Sequence, residues 1–117
     1  YTTLFRSVVL STFGKILNKT VREHDLVGRY GGEEFIAIIH FNLNRELLQF
    51  LKRIKTIVTE NSFLYQDKKI RITFSAGVAI RNSYPTYENA LQKADTLLYK
   101  AKESGRNKIL LENGMEI

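Results

Sequence analysis

The sequence predicts an α+β fold, with helices packed on an antiparallel-rich sheet. Three observations carry that expectation. Apolar residues recur at helical spacing in three separate segments. Short alternating or β-branched runs lie between them. A double glycine joins two of those runs.

Taken in order, residues 8–19 carry Val9, Phe13, Ile16 and Leu17 at helical spacing. Residues 26–30 and 34–40 read as two short strands. Gly31-Gly32 is expected as the two-residue turn between them, since glycine tolerates the positive φ of tight hairpins. Residues 45–60 form a second helix with Leu47, Leu51, Ile54 and Val58 on one face and Asn44 as its cap. Residues 69–80 alternate and are rich in β-branched side chains, which predicts one strand. Thr86 is placed to cap a third helix at 87–104, and Gly105 to end it at C′. Residues 108–112 give a last strand. The order α-β-β-α-β-α-β suits a ferredoxin-like sandwich, except that such folds open with a strand and this chain opens with a helix.

The 117 residues suit one domain, and no Gly/Pro-rich linker interrupts them. With no cysteine, disulfides and thiolate metal sites are excluded. Any metal falls to oxygen ligands or to His24 and His40, and oxygen ligands favour hard cations such as magnesium. No apolar run approaches the ~20 residues of a membrane span, and the N-terminus lacks an apolar segment of signal-peptide type. A cytoplasmic location is expected. The net charge of +6 points to an anionic partner as readily as to an ordinary basic surface.

Glu33 and Glu34 follow the double glycine at once. Two adjacent carboxylates at a hairpin tip suit a solvated turn. They equally suit a magnesium-phosphate site, where glycines without Cβ let a ligand approach the backbone. Strand alternation would send the two carboxylates to opposite faces. Lys102 and Arg106, four apart, are expected to share a face of the last helical turn. Basic residues also favour helix C-termini through the dipole. Arg22 and Asp25 read locally as a surface pair.

Arg29-Tyr30-Gly31-Gly32-Glu33-Glu34-Phe35 resembles the GG(D/E)EF motif of the GGDEF family of diguanylate cyclases. Further stretches agree in order. Arg22-Glu23-His24-Asp25 is similar to the family's RxxD inhibitory site. Thr73-Phe74-Ser75-Ala76-Gly77-Val78-Ala79 resembles the strand after the second helix. Ala94-Asp95-Thr96-Leu97-Leu98-Tyr99-Lys100-Ala101-Lys102-Glu103-Ser104-Gly105-Arg106-Asn107 resembles the final helix and its exit. The likeness covers roughly residues 8–112, and several motifs at correct spacing outweigh one pentapeptide.

The resemblance implies a nucleotidyl-cyclase-type sandwich whose first strand is missing. It implies a domain that condenses two GTP into cyclic di-GMP with release of pyrophosphate, using Mg2+ or Mn2+. Each of two facing domains would hold one GTP, so a homodimer is implied. Glu33 is implied as catalytic residue and metal ligand, and Glu34 as a supporting metal ligand. Gly31, Gly32, Lys102 and Arg106 are implied as GTP contacts. Arg22, Asp25 and Arg53 are implied as the site where cyclic di-GMP inhibits. No nucleic-acid partner is implied. A sensory domain is expected upstream in a longer protein, which a further N-terminal domain could anchor to a membrane.

Residues 1–7 do not resemble the family. Tyr1-Thr2-Thr3-Leu4-Phe5-Arg6-Ser7 is similar to a translated adapter string. The expected organisation is therefore a non-native junction over 1–7 and a partial GGDEF domain over 8–117. The family's metal-binding aspartate and guanine-reading asparagine would lie upstream of Tyr1, and the partner aspartate falls at Ser7, which lacks a carboxylate. On that reading the fragment is expected to be inactive on GTP alone. Two rival readings remain. One keeps the family but makes the domain a catalytically inactive sensor of cyclic di-GMP or GTP. The other is an RNA-binding ferredoxin-like module, which Glu33 and Glu34 disfavour because carboxylates repel phosphate without a metal.

Overall fold

A computed structural model describes residues 3–117, with side chains described from residue 6. Tyr1 and Thr2 of the expected junction lie outside the described residues. The chain divides into two compact units, Tyr1–Ile72 and Thr73–Ile117.

The first unit opens with helix α1 (Thr3–Thr20), which begins before the expected residue 8. Strands β1 (Leu26–Gly31) and β2 (Glu34–Ile38) form an antiparallel ladder. The Phe13 ring of α1 lies 5.3 Å from that of Phe35 on β2, tilted by 60°, an arrangement aromatic pairs favour. Helix α2 (Asn44–Glu60) buries Leu47, Leu51, Ile54 and Val58 along one stripe, as the spacing predicts. Its expected cap does not form. Leu43 holds the N-cap position without a side-chain bond, and Asn44 is already helical.

Residues 69–80 do not form one strand. Strand β4 (Lys68–Arg71) pairs with β3 (Ser62–Tyr65) in an antiparallel hairpin that the sequence did not reveal. Its turn residues Gln66 and Asp67 both take positive φ, +49° and +64°, without a glycine to announce them. The β4 ladder stops at Arg71 because its partner strand starts at Ser62, directly after α2.

The second unit holds β5 (Ala76–Val78), a 3₁₀ turn (Arg81–Ser83), α3 (Tyr87–Glu103) and β6 (Ile109–Leu111). Strands β5 and β6 are parallel, as a helical crossover between them allows. Gly77 is required here. A Cβ at that position would run into the Ala94 carbonyl and lie 2.8 Å from the Leu97 Cβ. Thr86 caps α3 as expected, its Oγ1 accepting from the Asn89 N–H at 3.1 Å. Gly105 follows the C-cap with φ +114°, and the Arg106 N–H reaches the Ala101 carbonyl at 2.9 Å, the Schellman closure of a helix. Glu112 accepts from the Ile80 N–H at 2.5 Å and from the Tyr84 hydroxyl at 2.9 Å, tying the 3₁₀ segment to the end of β6.

The α+β class and the antiparallel bias therefore hold, with the strands among the described residues paired in three two-stranded ladders, two antiparallel and one parallel. Among the described residues no helix is long and apolar enough to cross a membrane.

Candidate functional site

The β1–β2 register places the acidic turn. Arg29 opposes Phe35, but Gly31 opposes Glu34, so Tyr30 is an extra residue in a bulge. That bulge shifts the turn by one position. Its two central residues are Gly32 and Glu33, not Gly31 and Gly32. Gly32 has φ +55° at the first central position, where glycine is favoured. Glu33 thus sits at the tip with its side chain 55% exposed, and Glu34 begins β2 half-buried. The expected alternation of the two carboxylates across a strand fails, because Glu33 is on the turn.

A Cβ added at Gly31 or Gly32 would meet nothing within 4 Å, so the backbone of the turn is open to an approaching ligand. Arg29, for which no separate role is expected from the sequence, stiffens this turn. Its Nε and Nη2 both donate to the Gly32 carbonyl, at 3.0 and 2.6 Å. Arg6 on α1 brings Nη2 to 3.7 Å from Glu33 Oε2. The pair is exposed, so it contributes little to stability. Among the described residues no group of three or more His, Cys, Asp or Glu side chains is arranged to hold a metal. Two neighbouring carboxylates still fit a magnesium-type ion by their chemistry, since such ions take one or two carboxylates and draw other oxygens from substrate phosphate and water.

Asp25 lies in a different environment. Its side chain is only 1% exposed. Oδ2 accepts from the Arg22 N–H at 3.0 Å, and Oδ1 accepts from the His40 N–H at 2.8 Å. The Arg22 Nε lies 3.6 Å from Oδ2, and the His40 Nδ1 lies 3.4 Å from Oδ1. The Arg22 guanidinium also donates to the His40 carbonyl. Burial pushes the Asp25 carboxyl up. The backbone bonds from His40 and Arg22, the His40 ring and the Arg22 charge outweigh it, and the net result is a lowered pKa. Asp25 is a clasp joining the exit of α1 to the end of β2, and it holds the half-exposed Arg22 in place.

Arg53 on α2 donates from Nη2 to the Thr20 carbonyl at 3.1 Å, satisfying an orphan carbonyl at the C-terminus of α1. It thereby reaches the chain two residues before Arg22. A groove of about 490 Å³ opens beside this bond, lined by Ile16, Lys19, Thr20, Arg53, Ile57 and Asn61.

Lys102 and Arg106 lie in the second unit and do not share a helical face. Helix α3 ends at Glu103, and Arg106 and Asn107 follow in the left-handed region with φ +61° and +51°. Lys102 is on the last turn of the helix, while Arg106 belongs to its Schellman exit.

The family model described as "Diguanylate cyclase, GGDEF domain" matches residues 7–108. Diguanylate cyclase A of Treponema denticola is 35% identical over 105 residues, which is 89% of this chain and 28% of that protein. The chain thus spans less than a third of that relative. Among solved structures, the active GGEEF domain of a diguanylate cyclase from Vibrio cholerae superposes with a TM-score of 0.72 at 26% identity. That match covers 90% of this chain and 67% of that one. The GGDEF domain of DgcB from Caulobacter crescentus, solved in complex with c-di-GMP, shares the fold. Its TM-score is 0.81 at 21% identity, over 93% of this chain and 66% of that one. A matched family over most of the chain, and a Gly-Gly-Glu-Glu turn held open at the tip of its hairpin, lead to one assignment: this chain belongs to the GGDEF domain family of diguanylate cyclases.

Proposed function

We propose that the chain forms the reacting part of a diguanylate cyclase, which joins two GTP molecules into cyclic di-GMP and releases two pyrophosphates. The observation that carries this reading is the tip of the β1–β2 hairpin. Glu33 stands exposed on the turn, Glu34 follows it, and the backbone of Gly31 and Gly32 is open beside them. Such a tip can receive a triphosphate nucleotide, whereas a filled or apolar turn could not.

The 3′-oxygen of one GTP attacks the α-phosphorus of the other, and the bond to the pyrophosphate oxygen breaks. The Glu33 carboxylate takes the proton of the attacking hydroxyl. Glu33 and Glu34 would hold a magnesium or manganese ion, which when bound neutralises phosphate charge. Lys102 and Arg106 contact the phosphates as point charge and planar fork. The reaction needs a second copy of the domain to carry the other GTP, so the working state is a symmetric pair. GTP as substrate places this work in the cytoplasm.

Arg22 and Arg53 form the inhibitory site for cyclic di-GMP. Arg22 presents its guanidinium to the product, and Asp25 positions that guanidinium rather than touching ligand. Support comes from the burial of Asp25 and from the Arg53–Thr20 bond, which anchors a second arginine two residues from Arg22.

The test is conversion of GTP by the purified full-length protein, with Glu33→Gln beside it. Cyclic di-GMP formation should fall by about 10²–10⁴-fold, the loss expected for a general base. A variant that keeps wild-type turnover would sink the assignment of Glu33. A wild-type protein that binds cyclic di-GMP yet never converts GTP would replace the enzyme by a sensor.

A further inference from the structure

The β3–β4 hairpin takes no part in the site above. Its cross-strand pairs sort its side chains onto two faces, because residues directly opposite each other point the same way. Phe63 and Ile70 are paired and half-buried. Leu64 opposite Lys69, and Ser62 opposite Arg71, form the other face, and all four are exposed. Lys68, opposite Tyr65, is exposed beside the turn but belongs to the Phe63–Ile70 face. Of the three cations of β4, Lys69 and Arg71 therefore share the exposed face with Leu64. Among the described residues none of them makes an ion pair. Leu64, at 69%, is the most exposed large hydrophobic side chain among the described residues.

We infer that this face docks on an acidic phospholipid bilayer, with Leu64 entering the interface and Lys69 and Arg71 meeting the headgroups. The combination selects the partner. Unpaired cations call for an anionic surface, and an aliphatic side chain set directly beside them calls for one that is also apolar just beneath its charges. An acidic bilayer offers both. A nucleic acid offers the phosphates but rewards aromatic stacking, and the exposed face of this hairpin carries no aromatic residue. Each cation near such a surface strengthens partitioning about five-fold, so the two together with Leu64 give weak, reversible docking. That strength suits a contact that orients a domain rather than one that anchors it.

The experiment is co-sedimentation of the 117-residue chain with vesicles of phosphatidylcholine alone or mixed with phosphatidylserine. Binding is expected only to the mixed vesicles. It should fade as salt shortens the screening length from ~10 Å to ~3 Å. Lys69→Glu with Arg71→Glu should weaken partitioning by at least ~25-fold, the product of two lost cations. Leu64→Ser should weaken it less. Lys15→Glu with Lys100→Glu changes the net charge equally but lies elsewhere, and should retain most of the binding. Circular dichroism confirms that each variant is folded. The inference is overturned by equal binding to neutral vesicles. It is equally overturned by equal losses in the two double variants, which would make net charge the cause. Displacement from the mixed vesicles by a short single-stranded RNA at comparable concentration would overturn it in favour of a general polyanion site.

Discussion

Two carboxylates in the first unit, Asp25 and Glu33, are eight positions apart and have opposite fates. The Asp25 side chain is 1% exposed, and both its oxygens accept backbone N–H bonds. Glu33 is 55% exposed on a turn, with an arginine at 3.7 Å. A buried carboxylate with its acceptors committed has little capacity left for a ligand, and its energy goes into holding the chain. An exposed carboxylate at an open turn stabilises little and remains accessible to substrate. Chemistry that looks the same in one dimension divides into structure and function according to what surrounds it.

The sharpest contrast comes from neutralising each in turn. Glu33→Gln should lower cyclic di-GMP formation by about 10²–10⁴-fold and leave the melting temperature unchanged, measured by product assay and thermal denaturation on the same preparation. Asp25→Asn should do the reverse. It keeps the shape but loses the charge that strengthens two backbone bonds, at a cost of about 2–3 kcal/mol and a melting temperature lower by about 10 °C. If Asp25→Asn melts like the wild type, the clasp reading fails.

Arg22→Ala leaves Asp25 buried but strips the arginine it positions. Calorimetric titration should show cyclic di-GMP affinity falling about 10–100-fold, in the range of one lost charge-assisted contact. Unchanged affinity would place the product elsewhere. Arg29→Ala removes both bonds to the Gly32 carbonyl. Turnover should fall about ten-fold through loosened placement of Glu33, while Arg29→Lys, which lacks the fork, should recover only part of it. An unchanged rate would show that the turn holds without its clamp.

The smallest effect concerns pH. The folded Asp25 has a lowered pKa, so its contribution to stability is complete above its unfolded value near 3.8 and is lost as pH falls through the lower folded value. Melting curves of wild type and Asp25→Asn should therefore differ at neutral pH and converge as the pH drops below 3.8. A gap that persists in acid would mean that the carboxylate charge is not what the clasp uses.

Much of the fold was legible because it rests on short-range rules. The stripe of Leu47, Leu51, Ile54 and Val58, the Thr86 cap and the Gly105 exit each depend on residues within a few positions. The turn of the acidic hairpin was misplaced by one residue, because a bulge at Tyr30 leaves no mark in composition. The β3–β4 hairpin was hidden because Gln66 and Asp67 adopt positive φ without glycine. Residues 69–80 looked like one strand because alternation records which faces are apolar, not which partner each half will find.

The candidate site shows the same division. From the string alone came the motif, its order along the chain and the two glutamates of the acidic hairpin. Local chemistry suffices for that, since turn preference and charge belong to the residues themselves. The role of Asp25 depended on His40, fifteen positions away, and the anchoring of Arg53 on Thr20, thirty-three positions away. Burial and long-range hydrogen bonds arise only when distant segments pack. The fold therefore had to form before the buried Asp25, which holds the chain, could be told from the exposed Glu33, to which we assign the chemistry.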